Sequence, residues 1–210
     1  MIATNMKWIE RALSPSDCGC DNLAHVYNDH GQLMATDGHR LHLAPAPNGN
    51  YSEHSGFVDG YQGEFPDYRQ ILPKQTSTIA EFRLTKGAIA TLKRLSRLPG
   101  KGESCSAEIV IEPRSDSVYG RARIAMRLGD VLETSVQCEI LLSEQAPGEV
   151  RFGVDLRYLV DAIEPFGGND PVAVTLKTDL NGYVPGRVCL APFMVHIREH
   201  TAVIMPLRLR

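Results

Sequence analysis

The sequence lacks the features that are typical of membrane proteins and of secreted, disulfide-bonded proteins. No apolar run approaches the roughly 18 residues that a membrane-spanning helix needs, and the net charge of the 210 residues is only −3. The five cysteines are scattered and odd in number, which argues against a disulfide framework. The first residues lack the basic-then-apolar order of a signal peptide. We therefore expect a soluble, cytoplasmic protein with no membrane partner.

Signatures of common catalytic and cofactor sites are also missing. The sequence has no glycine-rich phosphate loop and no serine or cysteine motif with a matched base. Cys18 and Cys20, with His25 and His30 nearby, would supply half of a metal site, but no second closely spaced pair completes a zinc-finger pattern. We therefore predict no cofactor and no metal, and interpret these cysteines as reduced thiols in a loop.

Three segments have the apolar spacing of amphipathic helices. They are NMKWIERAL (5–13), TKGAIATLKRLSRL (85–98) and DLRYLVDAIEPF (155–166). Thr85 and Asp155 stand where an N-cap would accept a hydrogen bond from the first helical turn. Proline and glycine residues near the ends of the second and third segments indicate where these helices stop.

Between the helices the apolar residues alternate, as they do along half-buried strands. One helix followed by several strands occurs three times, at about residues 1–60, 79–146 and 147–210. The repeat is one of pattern and not of letters. Helices set apart from antiparallel strands predict an α+β fold.

Four motifs occur in a fixed order along the chain. They are ATDGHRL (35–41), VDG with FPDYRQILP (58–60 and 65–73), LRYLVDAI (156–163) and VIMPLRL (203–209). Together they resemble the bacterial replicative sliding clamp, the beta subunit of DNA polymerase III, and the resemblance covers almost the whole chain. It implies the DNA-clamp (processivity-factor) fold, in which units of one helix plus antiparallel strands are repeated.

The resemblance also implies how the chain is divided. A clamp chain of this family has three similar domains, each made of two such units. Residues 79–210 resemble the complete third domain, residues 1–60 resemble the first half of the second domain, and residues 61–78 form a connector. We therefore expect a shortened homologue that lacks the first domain and half of the second.

In the family, a hydrophobic cleft binds short peptide motifs of DNA polymerases and of the clamp loader. The resemblance implies a corresponding peptide-binding set in this chain. Its members are Thr36, Gly38, His39, Arg40, Leu41, Pro66, Ile71, Val203, Ile204, Met205, Pro206, Leu207 and Arg208.

The chemistry of this peptide-binding set suits its role. Most members are apolar, Met205 can adapt to different anchors, and Gly38 is expected to take a positive φ that lets a ligand approach the backbone. His39, Arg40 and Arg208 would hydrogen-bond a peptide at the rim. The alternative interpretation is structural, with VIMPLRL as an ordinary edge strand and the segment after Phe65 as an ordinary linker.

The second helical segment carries the clearest signal for nucleic acid. It contains Lys86, Lys93, Arg94 and Arg97 and no acidic residue. In the clamp family such helices line the ring and contact phosphate without sequence preference. We therefore expect these side chains to face double-stranded DNA and bind it in a salt-sensitive way. The alternative is a solvated helix face.

The resemblance implies a non-enzymatic DNA replication protein, a processivity factor that forms homo-oligomers, either dimers or tetramers. A half-domain at residues 1–60 would leave apolar surface and strand edges open. Two chains could pair these halves into one composite domain, so that a dimer forms an arc and two arcs close a ring around DNA.

Two alternatives stay open. The first is a clamp fragment that forms no ring and acts as a regulator or decoy for clamp partners. The second is a small metal-dependent enzyme centred on Asp37 and His39, which share a face at i and i+2 if they lie on a strand.

Overall fold

The structure is a computed structural model that describes residues 2–15, 19–46, 55–73, 77–100, 105–113, 119–128, 132–142, 148–181, 183–185 and 187–208. The chain forms two compact units. The first unit comprises Met1–Leu72 with Arg198–Val203, and the second comprises Pro73–Ile197 with Ile204–Arg210. No helix within the described ranges is long and apolar enough to cross a membrane.

The first unit is a small sheet with one helix packed on it. The helix α1 (Ile2–Ile9) continues as a 3-10 turn, and it packs against two of the strands. The strands are β1 (Tyr27–Asp29), β2 (Gln32–Thr36), β3 (Arg40–Pro45), β4 (Gly56–Phe57) and β13 (His200–Ile204). Their order across the sheet is β13-β3-β2-β1-β4. Strands β2 and β3 pair antiparallel with Thr36 opposite Leu41, which places the ATDGHRL turn at one end of the sheet.

The core of the first unit is built around the single tryptophan of the chain. Trp8, on α1, is 1% exposed. Its ring stacks on that of His42 in β3, with centroids 4.2 Å apart and planes 15° apart. The ring of His200 in β13 meets Trp8 edge-on at 4.9 Å. The first helix is therefore fixed to the sheet by aromatic packing as well as by aliphatic burial.

The central strands of the first unit are buried on both faces. Every residue from Leu33 to Thr36 and from Arg40 to Ala44 is buried, although successive side chains on a strand point to opposite faces. The expectation that this half-domain would leave apolar surface open is therefore wrong for β2 and β3. Their second face does not need a second copy of the chain to cover it.

The second unit consists of two helices and eight strands within the described residues. The helices are α2 (Lys86–Leu95) and α3 (Leu156–Ile163), and they pack against each other. The strands are β5 (Ser77–Leu84), β6 (Ser106–Pro113), β7 (Tyr119–Leu128), β8 (Leu132–Leu142), β9 (Val150–Asp155), β10 (Val172–Thr178), β11 (Val188–Cys189) and β12 (Phe193–Ile197). Their order is β11-β9-β6-β7-β8-β5-β10-β12. All these pairings are antiparallel except that of β11 with β9.

Both helices of the second unit begin where the sequence predicts. The Thr85 hydroxyl accepts a hydrogen bond from the amide of Ala88 at 3.2 Å, and the Asp155 carboxylate accepts one from the amide of Arg157 at 2.9 Å. These bonds satisfy amide groups that the first turn of a helix leaves without a helical partner. The predicted N-caps are thus confirmed.

The α+β fold class of repeated helix-and-strand units is confirmed by this architecture. Strand β11 is only two residues long and runs parallel to its neighbour β9. The sequence LGD at 128–130 is typical of a hairpin turn, but residues 129 and 130 lie outside the described residues. The assignment of residues 1–60, 61–78 and 79–210 to particular clamp domains stays a prediction.

Candidate functional site

The ATDGHRL turn is held by its own side chains. Asp37 Oδ1 accepts hydrogen bonds from the amides of His39 and Arg40, both at 3.0 Å. The Thr36 hydroxyl donates to the carbonyl of Arg40 at 2.6 Å and accepts from the amide of Gly38 at 3.1 Å. Gly38 has a φ of 85°, which confirms the predicted positive φ. The polar residues of this turn therefore fix its backbone.

Arg40 is part of the folded interior and not of a rim. Its Nε donates to Asp37 Oδ2 at 3.0 Å, and its guanidinium also donates to the carbonyl of Arg11. The residue is 9% exposed. The prediction that Arg40 contacts a peptide at the surface is corrected accordingly, because its donors are directed into the first unit. His39, in contrast, is exposed.

The remaining members of the peptide-binding set divide into core and surface residues. Thr36, Leu41, Val203 and Ile204 are between 0% and 7% exposed. Side chains buried to this extent do not line an open groove. The prediction that these four residues contact a peptide is therefore corrected, because they belong to the core. The exposed or half-buried members are Gly38, His39, Pro66, Ile71, Met205, Pro206, Leu207 and Arg208.

The FPDYRQ segment of the first unit is a short 3-10 turn, Tyr68–Gln70. Asp67 caps this turn by accepting from the amide of Arg69 at 3.3 Å, and Gln70 Nε2 donates to Asp67 Oδ2 at 3.1 Å. The amide of Ile71 donates to the carbonyl of Tyr68 at 3.1 Å. Ile71 therefore directly follows a turn that is held by both backbone and side-chain hydrogen bonds.

Tyr68 and Arg69 of the same segment bind a carboxylate that the sequence analysis did not single out. Asp29 Oδ2 accepts from the Tyr68 hydroxyl at 2.9 Å and from Arg69 Nη2 at 2.5 Å. The partners are 39 and 40 residues away along the chain. Asp29 stands in an ordinary turn sequence, YNDHG, so no local signal could have identified it.

The C-terminal members of the set belong to the second unit from Ile204 onward. Met205, Pro206 and Leu207 are half-buried, and Arg208 is exposed. The amide of Leu207 donates to the carbonyl of Gly153 at 2.9 Å, which fixes the backbone next to β9. This segment thus presents three partly accessible apolar side chains.

The predicted DNA-facing residues lie on the solvent side of α2. Ile89, Leu92 and Leu95 are buried on the opposite side of this helix. Lys86, Arg94 and Arg97 are exposed. These three side chains form a positively charged strip that runs along α2 and continues just beyond its end.

Lys93 is placed differently from the other basic residues of this strip. Its Nζ lies 2.5 Å from Glu164 Oε1 and is thereby partly neutralised. The Lys86 ammonium lies 3.5 Å from the Asn169 side-chain oxygen, which adds no negative charge. We therefore expect the field of this face to come from Lys86, Arg94 and Arg97 rather than from Lys93.

The pair proposed for a metal-dependent enzyme is arranged as a turn. Both oxygens of Asp37 accept hydrogen bonds within the loop, from the amides of His39 and Arg40 and from the Arg40 side chain. Among the residues that the structure describes, no group of three or more His, Cys, Asp and Glu side chains is placed to hold a metal ion. The hydrogen bonds of Asp37 therefore stabilise the turn, which explains the position of its side chain.

The repeated units of one helix and antiparallel strands are the architecture of a DNA clamp, and comparison with solved structures agrees. The chain is similar to the beta sliding clamp of C. crescentus, at 19% identity and a TM-score of 0.69, over 99% of this chain and 63% of that one. The clamps of Bacillus subtilis and Pseudomonas aeruginosa each match at 16% identity and a TM-score of 0.66, over 99% of this chain and 62% and 64% of theirs. No family model and no curated protein matches.

At these identities the similarity establishes the fold. The chain has the fold of the bacterial sliding clamps, and the resemblance inferred from the four sequence motifs is confirmed in that respect. The chain spans less than two thirds of the length of the clamps named above.

Proposed function

We propose that the protein is a sliding-clamp-like accessory of DNA replication that binds the clamp-binding peptide motifs of polymerase and clamp-loader proteins and performs no catalysis itself. The observation that carries the proposal is the clamp fold along 99% of the chain, combined with the accessibility of several residues of the clamp motifs, among them His39, Ile71 and Met205. In the C. crescentus clamp, a polyethylene glycol molecule is bound to a region named for beta-motif tethering. This supports a ligand-accepting surface in that clamp.

Peptide binding is proposed for the accessible members of the set only. Ile71 and Met205 are half-buried apolar side chains of the kind that accept leucine or aromatic anchors. His39 and Arg208 are exposed and offer polar contacts. Leu41 is fully buried, so a charge placed there would test folding rather than binding.

The test uses a labelled synthetic peptide that carries a bacterial clamp-binding motif, with binding followed by fluorescence polarisation. We expect Ile71→Asp and Met205→Asp each to weaken binding roughly 30-fold, because an anchor contact contributes about 2 kcal/mol. Leu190→Asp is the matched control, since Leu190 is 52% exposed and lies outside the set. If all three variants bind as the wild type does, the peptide site is wrongly assigned.

We further propose non-specific contact of double-stranded DNA with α2, in a homo-oligomer that is a dimer or a tetramer. Light scattering on a size-exclusion column gives the molar mass that decides between the assemblies. A tetramer supports a ring and a dimer supports an open arc. A tetramer would then be tested on circular and linear duplex DNA, since only a ring is retained on the circle.

A second candidate function is a clamp-like fragment that forms no ring and competes for clamp partners. The burial of β2 and β3 on both faces within one chain favours it, because these strands leave no open apolar face that would require a second chain. A monomer that still binds the peptide would establish this function in place of the ring.

A further inference from the structure

The carboxylate of Asp29, at the end of β1, collects side-chain donors from a distant part of the first unit. Its Oδ2 accepts from the Tyr68 hydroxyl at 2.9 Å and from Arg69 Nη2 at 2.5 Å, and its Oδ1 accepts from the Ser55 hydroxyl at 2.8 Å. The Asp29 side chain is 12% exposed. The hydrogen bonds from Ser55 and Tyr68 hold the pKa of Asp29 below its usual value, so the carboxylate is charged at neutral pH.

Two of the three donors lie inside the segment that carries two members of the peptide-binding set. Tyr68 and Arg69 stand between Pro66 and Ile71 in the chain. Their side chains are turned to the carboxylate, while Pro66 is exposed and Ile71 is half-buried. Fixing the two donors therefore fixes residues that are only two positions away on either side.

The beginning of this segment is attached independently. Phe65 stacks on Tyr27 with ring centroids 4.9 Å apart and planes 15° apart, and the carbonyl of Glu64 accepts from Asn22 Nδ2 at 3.0 Å. These contacts precede Pro66. They would hold the first part of the segment without fixing the 3-10 turn that follows it.

We infer that Asp29 is a positioning residue for peptide binding, which holds Tyr68 and Arg69 so that Pro66 and Ile71 are presented in one arrangement. The inference rests on the proposed function. Charge-assisted hydrogen bonds are the stronger kind, and one acceptor that binds two neighbouring donors fixes the rotation of the turn as well as its position. A surface that is ordered before the peptide arrives loses less conformational freedom on binding, and its affinity is correspondingly higher.

The experiment compares Asp29→Asn with the wild type, using the labelled clamp-motif peptide at a temperature where both proteins are fully folded. We expect the variant to bind about tenfold more weakly, because the neutral amide oxygen accepts from Arg69 without the charge assistance that the carboxylate provides. We also expect faster hydrogen exchange at the amides of Gln70 and Ile71, whose acceptors are the carbonyls of the same turn.

Ser55→Ala is the control on the same carboxylate. It removes one hydrogen bond from Asp29 and leaves the bonds to Tyr68 and Arg69, so peptide affinity should change less than twofold. If Asp29→Asn fails to fold, Tyr68→Phe replaces it, since it deletes a single hydroxyl and should weaken binding about threefold.

The outcomes separate this inference from the proposal on which it rests. If the wild type binds the peptide and Asp29→Asn binds equally well, with a lower melting temperature, Asp29 is only structural and the inference is overturned. If the wild type does not bind the peptide, the proposed function fails and the inference fails with it. Weaker binding by the folded variant, with faster exchange confined to the turn, supports it.

Discussion

Asp37 and Arg40 form an ion pair that closes the turn between β2 and β3. The Nε of Arg40 lies 3.0 Å from Asp37 Oδ2, and the two side chains are 9% and 12% exposed. Removal of one partner of a buried pair leaves the other charge without compensation. The stability of the first unit should therefore depend on this pair more than on the exposed residues of the same turn.

We expect Arg40→Met to lower the free energy of unfolding by about 3 kcal/mol, because it removes the cation that donates to Asp37 Oδ2 and to the carbonyl of Arg11. Urea denaturation at neutral pH measures the change. His39→Ala, at an exposed position in the same turn, should change stability by less than about 0.5 kcal/mol. Equal effects of the two substitutions would contradict the placement of Arg40 in the interior.

Gly38 should tolerate asparagine better than a β-branched residue. Its φ is 85°, and a Cβ added there would meet no atom within 4 Å, so the cost of substitution is that of the backbone conformation. Asparagine enters the left-handed region more readily than other residues, whereas valine is strongly disfavoured there. Thermal melting should rank the proteins as wild type, Gly38→Asn and then Gly38→Val, and a reversal of the two variants would show that the turn changes its conformation.

His42 should make the first unit sensitive to acid. The pKa of His42 is lowered to about 3, mainly by burial and to a smaller extent by the nearby Arg40 and Arg11, whereas the bond to the carbonyl of Trp8 opposes the change. Because the folded pKa is below the unfolded value of 6.5, protons bind preferentially to the unfolded chain between these values. The contribution of neutral His42 to the free energy of unfolding is complete above about pH 6.5 and is lost progressively as the pH falls toward 3.

Between pH 7 and pH 5 this loss should amount to about 2 kcal/mol, since one unit of pKa difference corresponds to about 1.4 kcal/mol. His42→Asn is the comparison, because its amide can still donate to the carbonyl of Trp8 but does not titrate. The free energy of unfolding, measured in urea at several pH values, should fall less steeply in the variant. Parallel curves for the two proteins would exclude His42 as the source.

The four basic residues of the second helical segment should contribute unequally to DNA binding. Arg94→Gln and Arg97→Gln remove exposed charges, whereas Lys93→Gln removes a charge that is already paired with Glu164. Binding of a labelled random duplex at several salt concentrations gives the slope of log K against log salt. We expect the double arginine variant to lower this slope by up to about 2, and Lys93→Gln to change it little.

Thr91→Ala is an uncharged control for this experiment, because Thr91 is exposed on the same helix. If Lys93→Gln lowers the slope of log K against log salt as much as the arginine variants do, the ion pair of Lys93 with Glu164 breaks when DNA binds. No decrease in any variant would remove α2 from the DNA-facing surface.

The sequence predicted much of the fold because the relevant signals are local. Apolar spacing and the caps Thr85 and Asp155 are contained within a few residues each, and the structure bears them out. The position of Leu41 could not be obtained in this way. Alternation identifies two faces of a strand, but the coverage of both faces of β3 is a property of the tertiary structure.

The predicted site shows the same division between local and long-range information. The positive φ of Gly38 follows from a turn motif, and its prediction was correct. Arg40 was expected at the rim of the peptide-binding set, and its burial depends on Asp37 and on a carbonyl 29 residues away. Asp29 acquires its role only through partners about 40 residues distant, which no short window contains.

The stacking of Trp8 on His42 provides a spectroscopic handle on one part of the molecule. As the single tryptophan of the chain, Trp8 reports by its emission on the packing of α1 against the first sheet, while most of the strand signal in circular dichroism comes from the second unit. Two optical probes thus follow two different units. Coincident unfolding curves would show one cooperative transition, and an earlier emission change would show that the first unit opens while the second is still folded.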